Sequence, residues 1–568
     1  MDAIAHFVPG LTAPPPSHGI GAYLPAMPEG VASAYVEALT LPGDLVLDPF
    51  CQTGRVLREA VALGRRALGS NFNPVAVRWI ESLLWPPEAS HVIAAFVRLG
   101  DMPRGEAKLR QHILNLYATR CPTCGKDATL EFLVWDRSED SPVEKHVRCA
   151  ACGTDSTGPV DEADTTLAHR FERRGMAYFF LLERAAPDES EPDERERAAA
   201  VIGAYTARAL AALADLLRKY DAASDSDRAA LRVLLLVAFE AALALHSAEQ
   251  DRPRPRSLKI PPRFIERNIW LAMEDALPAR VPHAPRAPSP PPRAADVNTL
   301  FARPEPAAHL IARGGRDLGK LVPPASVRLM LAVPPQPDPT LWALSAVWAG
   351  WQGGRGAGGL EALRPLLARR RADADWLWRG LAQSLGGLVP TLPPDGHIVL
   401  VSPEADDDAL AGLLLAGASA GLELDHALVE PQSGSRVMWH SAPPGPPREL
   451  DADALAFEIG EQARQTAASI LNTRGDPTPW PFIHAAIQSE LMRAGLLRIA
   501  ARMSDSGPPS GSPLPGVPLP LDLIEKATLD GLRAPRSPVY PVEDVRGVWW
   551  LTHPGQAAPP LADRIEAA

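Results

Sequence analysis

Four cysteines in two close pairs carry the most explicit chemistry in this chain. Cys121-Pro122-Thr123-Cys124-Gly125 and Cys149-Ala150-Ala151-Cys152-Gly153 each form a knuckle able to present two thiolates to one ion. Four sulfur ligands with closed coordination describe a structural zinc site rather than a catalytic metal. With five cysteines in all, and Cys51 the odd one, metal binding in a reducing compartment fits better than a disulfide framework. Between the pairs, residues 130–135 and 145–148 read as the hairpin strands of a zinc ribbon. Such a ribbon either reads nucleic acid or stabilises an insertion that lacks its own core. Glu139, Asp140 and Glu144, mixed with Lys145, His146 and Arg148, favour the second reading.

A second constellation begins at a buried strand over 45–47. It continues through Asp48-Pro49-Phe50-Cys51-Gln52-Thr53-Gly54, a helix over 55–63 and a strand over 67–70, and ends in Asn71 and Asn73. Strand, tight loop, helix and a second strand ending in polar residues are the layout of a nucleotide-type cofactor site. Glycine lets backbone approach a ligand, and a helix N-terminus favours an anionic group.

These residues need a scaffold, and the rest of the chain supplies the pattern of one. Its 568 residues, 46% hydrophobic, suffice for several domains, and many of the 61 prolines cluster as boundary markers. A net charge of -11 argues against a uniformly basic nucleic-acid coat, although local basic runs occur at 65–66, 170–174, 252–259 and 369–371. No N-terminal signal pattern is evident, and no run approaches the roughly 18 apolar residues of a membrane span. The expectation is a cytoplasmic protein with no membrane contact. A helix over 31–39 precedes the first strand, Ala/Leu-rich helical spacing fills 193–249, and a proline run covers 281–293. Strand and helix alternation resumes with strands at 327–333, 396–401 and 422–429 and helices at 341–350, 376–388 and 408–420. The chain therefore reads as one mostly parallel α/β sheet interrupted by a large insertion. From 451 the tail is helical, crosses a Pro/Gly run at 508–520, and ends in Val548-Trp549-Trp550-Leu551.

The loop at 48–54 and the Gly69-Ser70-Asn71-Phe72-Asn73-Pro74 segment resemble those of S-adenosylmethionine (SAM)-dependent DNA amino-methyltransferases, in which Asp-Pro-Phe-x-Gly-x-Gly precedes a helix and Gly-x-Asp-x-Asn-Pro closes the next strand. The upstream run His18-Gly19-Ile20-Gly21-Ala22-Tyr23-Leu24-Pro25-Ala26-Met27-Pro28 is similar to the family's segment over the methionine end of SAM. Downstream, Leu331-Ala332-Val333-Pro334-Pro335-Gln336 stands where the family has Asp, Asn or Ser, then Pro-Pro, then an aromatic. The resemblance implies a class I SAM methyltransferase fold, Rossmann-like, with zinc-ribbon and helical insertions and a small C-terminal helical or winged-helix-like module. It divides the chain into a first part of the methyltransferase domain at 1–105, the zinc ribbon at 106–160, a helical insertion at 161–260, the second part at 261–450 and the module at 451–568. SAM contacts fall on Tyr23, Asp48, Pro49, Phe50, Gln52, Gly54, Asn71 and Asn73. The catalytic loop falls on Val333, Pro334, Pro335 and Gln336, and zinc on Cys121, Cys124, Cys149 and Cys152.

Four positions depart from the family pattern. Gln52 replaces a glycine where backbone hugs the ligand, and Asn71 replaces the acid that accepts the ribose hydroxyls. Val333 cannot accept an amino hydrogen from a flipped-out adenine or cytosine, and Gln336 cannot stack on it as an aromatic does. The expectation is a DNA amino-methyltransferase homologue with impaired catalysis and weak or lost SAM binding. Two alternatives remain open: an active SAM enzyme on another nucleic-acid substrate, and a non-catalytic nucleic-acid- or protein-binding subunit with DNA or an unidentified subunit as partner.

Overall fold

The computed structural model describes residues 19–250, 252–277, 289–354, 359–367, 374–403, 407–430, 434–441, 448–505, 519–554 and 557–560. The helix Val31–Leu39 leads into β1 (Leu45–Asp48), and the helix Arg55–Ala62 carries the chain to β2 (Arg66–Ser70), parallel to β1. Both strands are short with apolar centres, and every residue of β1 is buried. That is how a parallel strand covered on both faces should read.

After the helices Pro74–Leu84 and Ala89–Asp101 and a small hairpin, β3 (Pro103–Arg104) and β4 (Ala107–Lys108), the chain leaves the main sheet until Ala308. The excursion first forms an antiparallel sheet of β5 (Ala118–Arg120), β6 (Asp127–Asp136), β7 (Ser141–Arg148) and β8 (Asp155–Pro159). The helices Met176–Ala185, Pro192–Ile202, Ala207–Asp221 and Asp225–Ala241 follow. Where the sequence suggests one helical run over 199–220 there are two helices, because Thr206 accepts the Ala209 N–H and caps a new start. Then β9 (Arg263–Arg267) returns to pair with β6. Residues 263–267 therefore extend the ribbon sheet, beyond the boundary expected at 260. The cause is Glu266, whose buried carboxylate accepts from Trp135 Nε1 (2.7 Å), Thr206 Oγ1 (2.6 Å) and Arg208 Nε and Nη2 (3.0 and 2.6 Å).

The main sheet resumes with β10 (Ala308–Ile311), β11 (Val327–Ala332), β12 (His397–Ser402), β13 (Leu422–Glu430) and β14 (Gly434–Ser441). Its order is β10-β2-β1-β11-β12-β14-β13, parallel from β10 to β12, with β14 antiparallel to both its neighbours. Gly434 turns the chain into β14 at φ +98°, where an added Cβ would lie 1.9 Å from the Ser402 carbonyl oxygen. Of the proline runs, residues 281–288 and 508–518 lie outside the described residues. The tail contributes the helices Ala452–Arg474, Trp480–Arg493, Leu496–Asp505 and Pro520–Leu532. Its strands β15 (Thr478–Pro479), β16 (Val539–Pro541) and β17 (Val548–Leu551) pair antiparallel in the order β15-β17-β16.

Alternation along the strands divides the interior. Val46, Leu329, Leu331 and Val399 face a core shared with the helical insertion, whereas Leu45, Leu47, Met330, Ile398 and Leu400 face one shared with the C-terminal helices. Insertion and tail each complete one face of the sheet. Because β2 and β10 lie on one side of β1 and β11 and β12 on the other, the loops leaving β1 and β11 diverge, and a crevice opens between them.

Candidate cofactor crevice and metal centre

The loop after β1 is held by its own backbone. Cys51 N–H donates to the Ser70 carbonyl at 2.9 Å, and Gly54 turns at φ +71° to start the helix Arg55–Ala62. A Cβ on Gly54 would meet the Leu84 side chain at 2.8 Å, so both conformation and space call for glycine. The Asp48 carboxylate accepts from the Phe50 N–H at 3.2 Å, and burial pushes its pKa up to about 7. Pro49 and Phe50 are buried beside it.

Asn71 is occupied at both ends of its amide. Its Nδ2 donates to the Cys51 carbonyl at 2.7 Å, and its Oδ1 accepts the Asn73 N–H at 2.8 Å. It ties the two cofactor loops to each other. Asn73 in turn caps the helix Pro74–Leu84 through Oδ1 and donates Nδ2 to Ser345 Oγ at 2.9 Å, on the helix that follows β11. Tyr23 is buried, with no hydrogen-bond partner for its hydroxyl among the described residues. Burial first, then the Glu240 and Asp338 carboxylates, hold that phenol well above its ordinary pKa.

Three of the separate sequence segments meet at one small cavity of about 210 Å³. It is lined by Pro25 and Met27 from the first, Asp48, Gln52 and Thr53 from the loop, and Val333 from the end of β11. Gln52, where the resembling family has glycine, and Val333, whose side chain carries no polar group, both line it. Arg55 also lines this cavity, a residue that the sequence reading passed over although it sits at the first turn of the loop's helix.

The loop after β11 does not gather its residues at that cavity. Val333 and Pro334 are buried and Pro335 and Gln336 half-buried. Gln336 lines a different, largely apolar cavity of about 520 Å³, with Pro334, Trp378, Leu381 and Leu413. Asp338 Oδ1 accepts the Leu341 N–H at 2.8 Å and so caps the helix Pro339–Gly353, while Oδ2 pairs with Arg254. Arg254 reaches the loop from the stretch between the helical insertion and β9 and lies 5.4 Å from the Tyr23 ring. No sequence signal separated it from the other arginines of its run.

The four paired cysteines converge. All four sulfurs lie within 4.8 Å of one another, with Cys121–Cys152 at 3.8 Å and Cys124–Cys149 at 3.7 Å. Four thiolates at about 2.3 Å from a tetrahedral zinc stand about 3.8 Å apart, so the set fits that ion without rearrangement. The two knuckles are built alike. Gly125 and Gly153 adopt φ +68° and +71°, and their N–H groups donate to the Cys121 and Cys149 carbonyls, each at 2.9 Å.

A mostly parallel central sheet with a glycine-turned loop at its switch point, and a four-cysteine cluster in an insertion, define the class as a mixed α/β protein with a candidate metal centre. Residues 14–82 match the family model described as DNA methylase. The family implies use of SAM. No curated relative and no solved structure matches the chain. Among the described residues, no helix is long and apolar enough to cross a membrane.

Proposed function

We propose that this chain is a DNA amino-methyltransferase homologue of the class I SAM fold whose methyl-transfer chemistry has been lost, and that it acts as a non-catalytic, DNA-associated subunit. The observation that carries this reading is the cavity at the switch point, narrow and shared by Gln52 and Val333. Its residues do not fit an intact SAM site. Asn71, where the family has an acid for the ribose, spends both ends of its amide on the loops. The side chain at 333 cannot take an amino hydrogen, and Gln336 lines a different cavity. Asp338, the nearest carboxylate along the loop, is committed to a helix cap and to Arg254.

In this reading the methyltransferase domain comprises residues 1–105 and most of 261–450, the ribbon and helices are insertions, and 451–568 is a winged-helix-like module. The cysteine cluster holds structural zinc, and its thiolates call for a reducing, intracellular setting. DNA contact is supported by the family and by the run that supplies Arg254, where Arg252, Arg256 and Lys259 stay exposed beside the crevice. Replacing Arg252 and Arg256 with alanine should lower the slope of log affinity for duplex DNA against log salt by about 0.9 per lost phosphate contact. An unchanged slope would move the DNA surface elsewhere. Transfer of labelled methyl from SAM to unmethylated DNA should stay at background, and turnover by the unaltered chain would overturn the proposal.

A further inference from the structure

The small sheet of the C-terminal module has one face in the core and one in water, and the outer one has the wrong composition for water. Register fixes the faces: Tyr540 lies opposite Trp550, Pro479 opposite Val548, and the Val542 N–H donates to the Val548 carbonyl. Thr478, Val539, Trp549 and Leu551 point inward and are buried. The outward set is Pro479, Tyr540, Val542, Val548 and Trp550, with no charged residue among them and with Val548 and Trp550 half-buried. Tyr540 is 44% exposed and Val542 51%. An antiparallel sheet with one solvated face normally alternates apolar and polar side chains, and a contiguous exposed apolar face marks an interaction site. β16 is also an edge strand.

We propose that this face docks a basic, proline-rich segment of a partner protein, held as a polyproline II helix. Three observations select that occupant. The exposed Tyr540 beside Trp550, which is half-buried and rests partly on the C-terminal core, gives an aromatic surface of the kind such segments pack on, with little ordering entropy to lose. Glu543 and Asp544, exposed immediately after the outward Val542, place negative charge at the rim, which favours a flanking Arg or Lys and repels nucleic-acid phosphate. The third is an internal example of the same recognition. Trp85 Nε1 donates to the Pro291 carbonyl at 2.8 Å, Arg293 lies 4.6 Å over the Trp85 ring, and its guanidinium meets Glu81 at 2.7 Å. There a proline run with a basic end is held by a tryptophan and an acid, residue types that the outer face and its rim also carry.

The test is titration of the full chain with an arginine-flanked oligoproline peptide and, separately, its glutamate-flanked counterpart, read by calorimetry. The arginine form should bind saturably and the glutamate form at least about tenfold more weakly. Tyr540→Ala and Trp550→Ala should each weaken binding about tenfold, as loss of an aromatic anchor does. Because Trp550 is half-buried, Val542→Lys on the exposed rim serves as a second variant, with thermal unfolding recorded for all three. Glu543→Lys combined with Asp544→Lys should reverse the preference between the two peptides, an effect that a structural role could not produce. No saturable binding, binding indifferent to these variants, or a face whose mutation instead abolishes DNA binding or self-association in sedimentation would overturn the proposal.

Discussion

Asn71 shows how one atom can decide between a ligand contact and a structural one. An aspartate there would have no N–H to give the Cys51 carbonyl and would bring charge into the loop. The asparagine closes the bridge with neutral groups, at 2.7 and 2.8 Å. Asn71→Asp with Gln52→Gly should therefore open the cavity and tighten SAM binding by at least about tenfold, the worth of a single charge-assisted hydrogen bond. Calorimetry on the double variant checks this, and no gain would mean the crevice is closed for other reasons. Asp48 carries a second residue-scale consequence. Its carboxyl is raised from an ordinary value near 4 to about 7 by burial, so between those values the folded state holds a proton that the unfolded state has released. Stability should then fall as pH rises from about 4 to about 7, by up to about 1.4 kcal/mol per pH unit from this group, and Asp48→Asn should flatten that slope in denaturant titrations. The residue types at 52, 71, 333 and 336 could be read from the chain. What they touch could not, because Arg254 on Asp338 and Ser345 on Asn73 join positions far apart in sequence.

At the scale of elements, the ribbon is the part whose stability is most concentrated. Its sheet is closed at one end by the four cysteines and at the other by Glu266 and Arg208, both fully buried. Arg208 also lies 4.6 Å from the Tyr117 ring. Removing one partner would leave the other charge buried without compensation, so Glu266→Ala should destabilise the chain by about 3–5 kcal/mol. A thermal shift as small as that of an exposed Glu→Ala control would contradict the role assigned to the pair. Elemental analysis should find about one zinc per chain, and Cys121→Ser should lower it together with the melting temperature. The knuckles were legible because metal geometry fixes spacing. β9 was not, since Arg-Phe-Ile-Glu-Arg reads equally well as a strand of either sheet, and only the buried Glu266 network decides. β10 and β14 escaped notice for simpler reasons: one is four residues long, and the other mixes Ser, Arg and His with its apolar positions.

For the whole molecule, the insertions are part of the two cores rather than appendages. Phe239 of the insertion packs with Trp348 and Trp351 of the helix after β11, and Trp348 Nε1 donates to the Tyr205 hydroxyl at 2.8 Å. The helix Pro339–Gly353 is buried on nearly every side for this reason, which its even spread of apolar residues suggests but does not assign. The alternation of strands and helices was enough to read one interrupted sheet. The contacts that bind insertion, crevice and tail into one body lie between distant segments, beyond the reach of local pattern. Under the proposed loss of methyl transfer, that arrangement gives a physical reason for retaining the fold, since the sheet is the platform on which ribbon, helices and tail are assembled. The claim rests on the crevice between β1 and β11, and calorimetric titration of the intact chain with SAM probes it directly. The account predicts no saturable heat up to millimolar cofactor, whereas micromolar binding by the unaltered protein would contradict it.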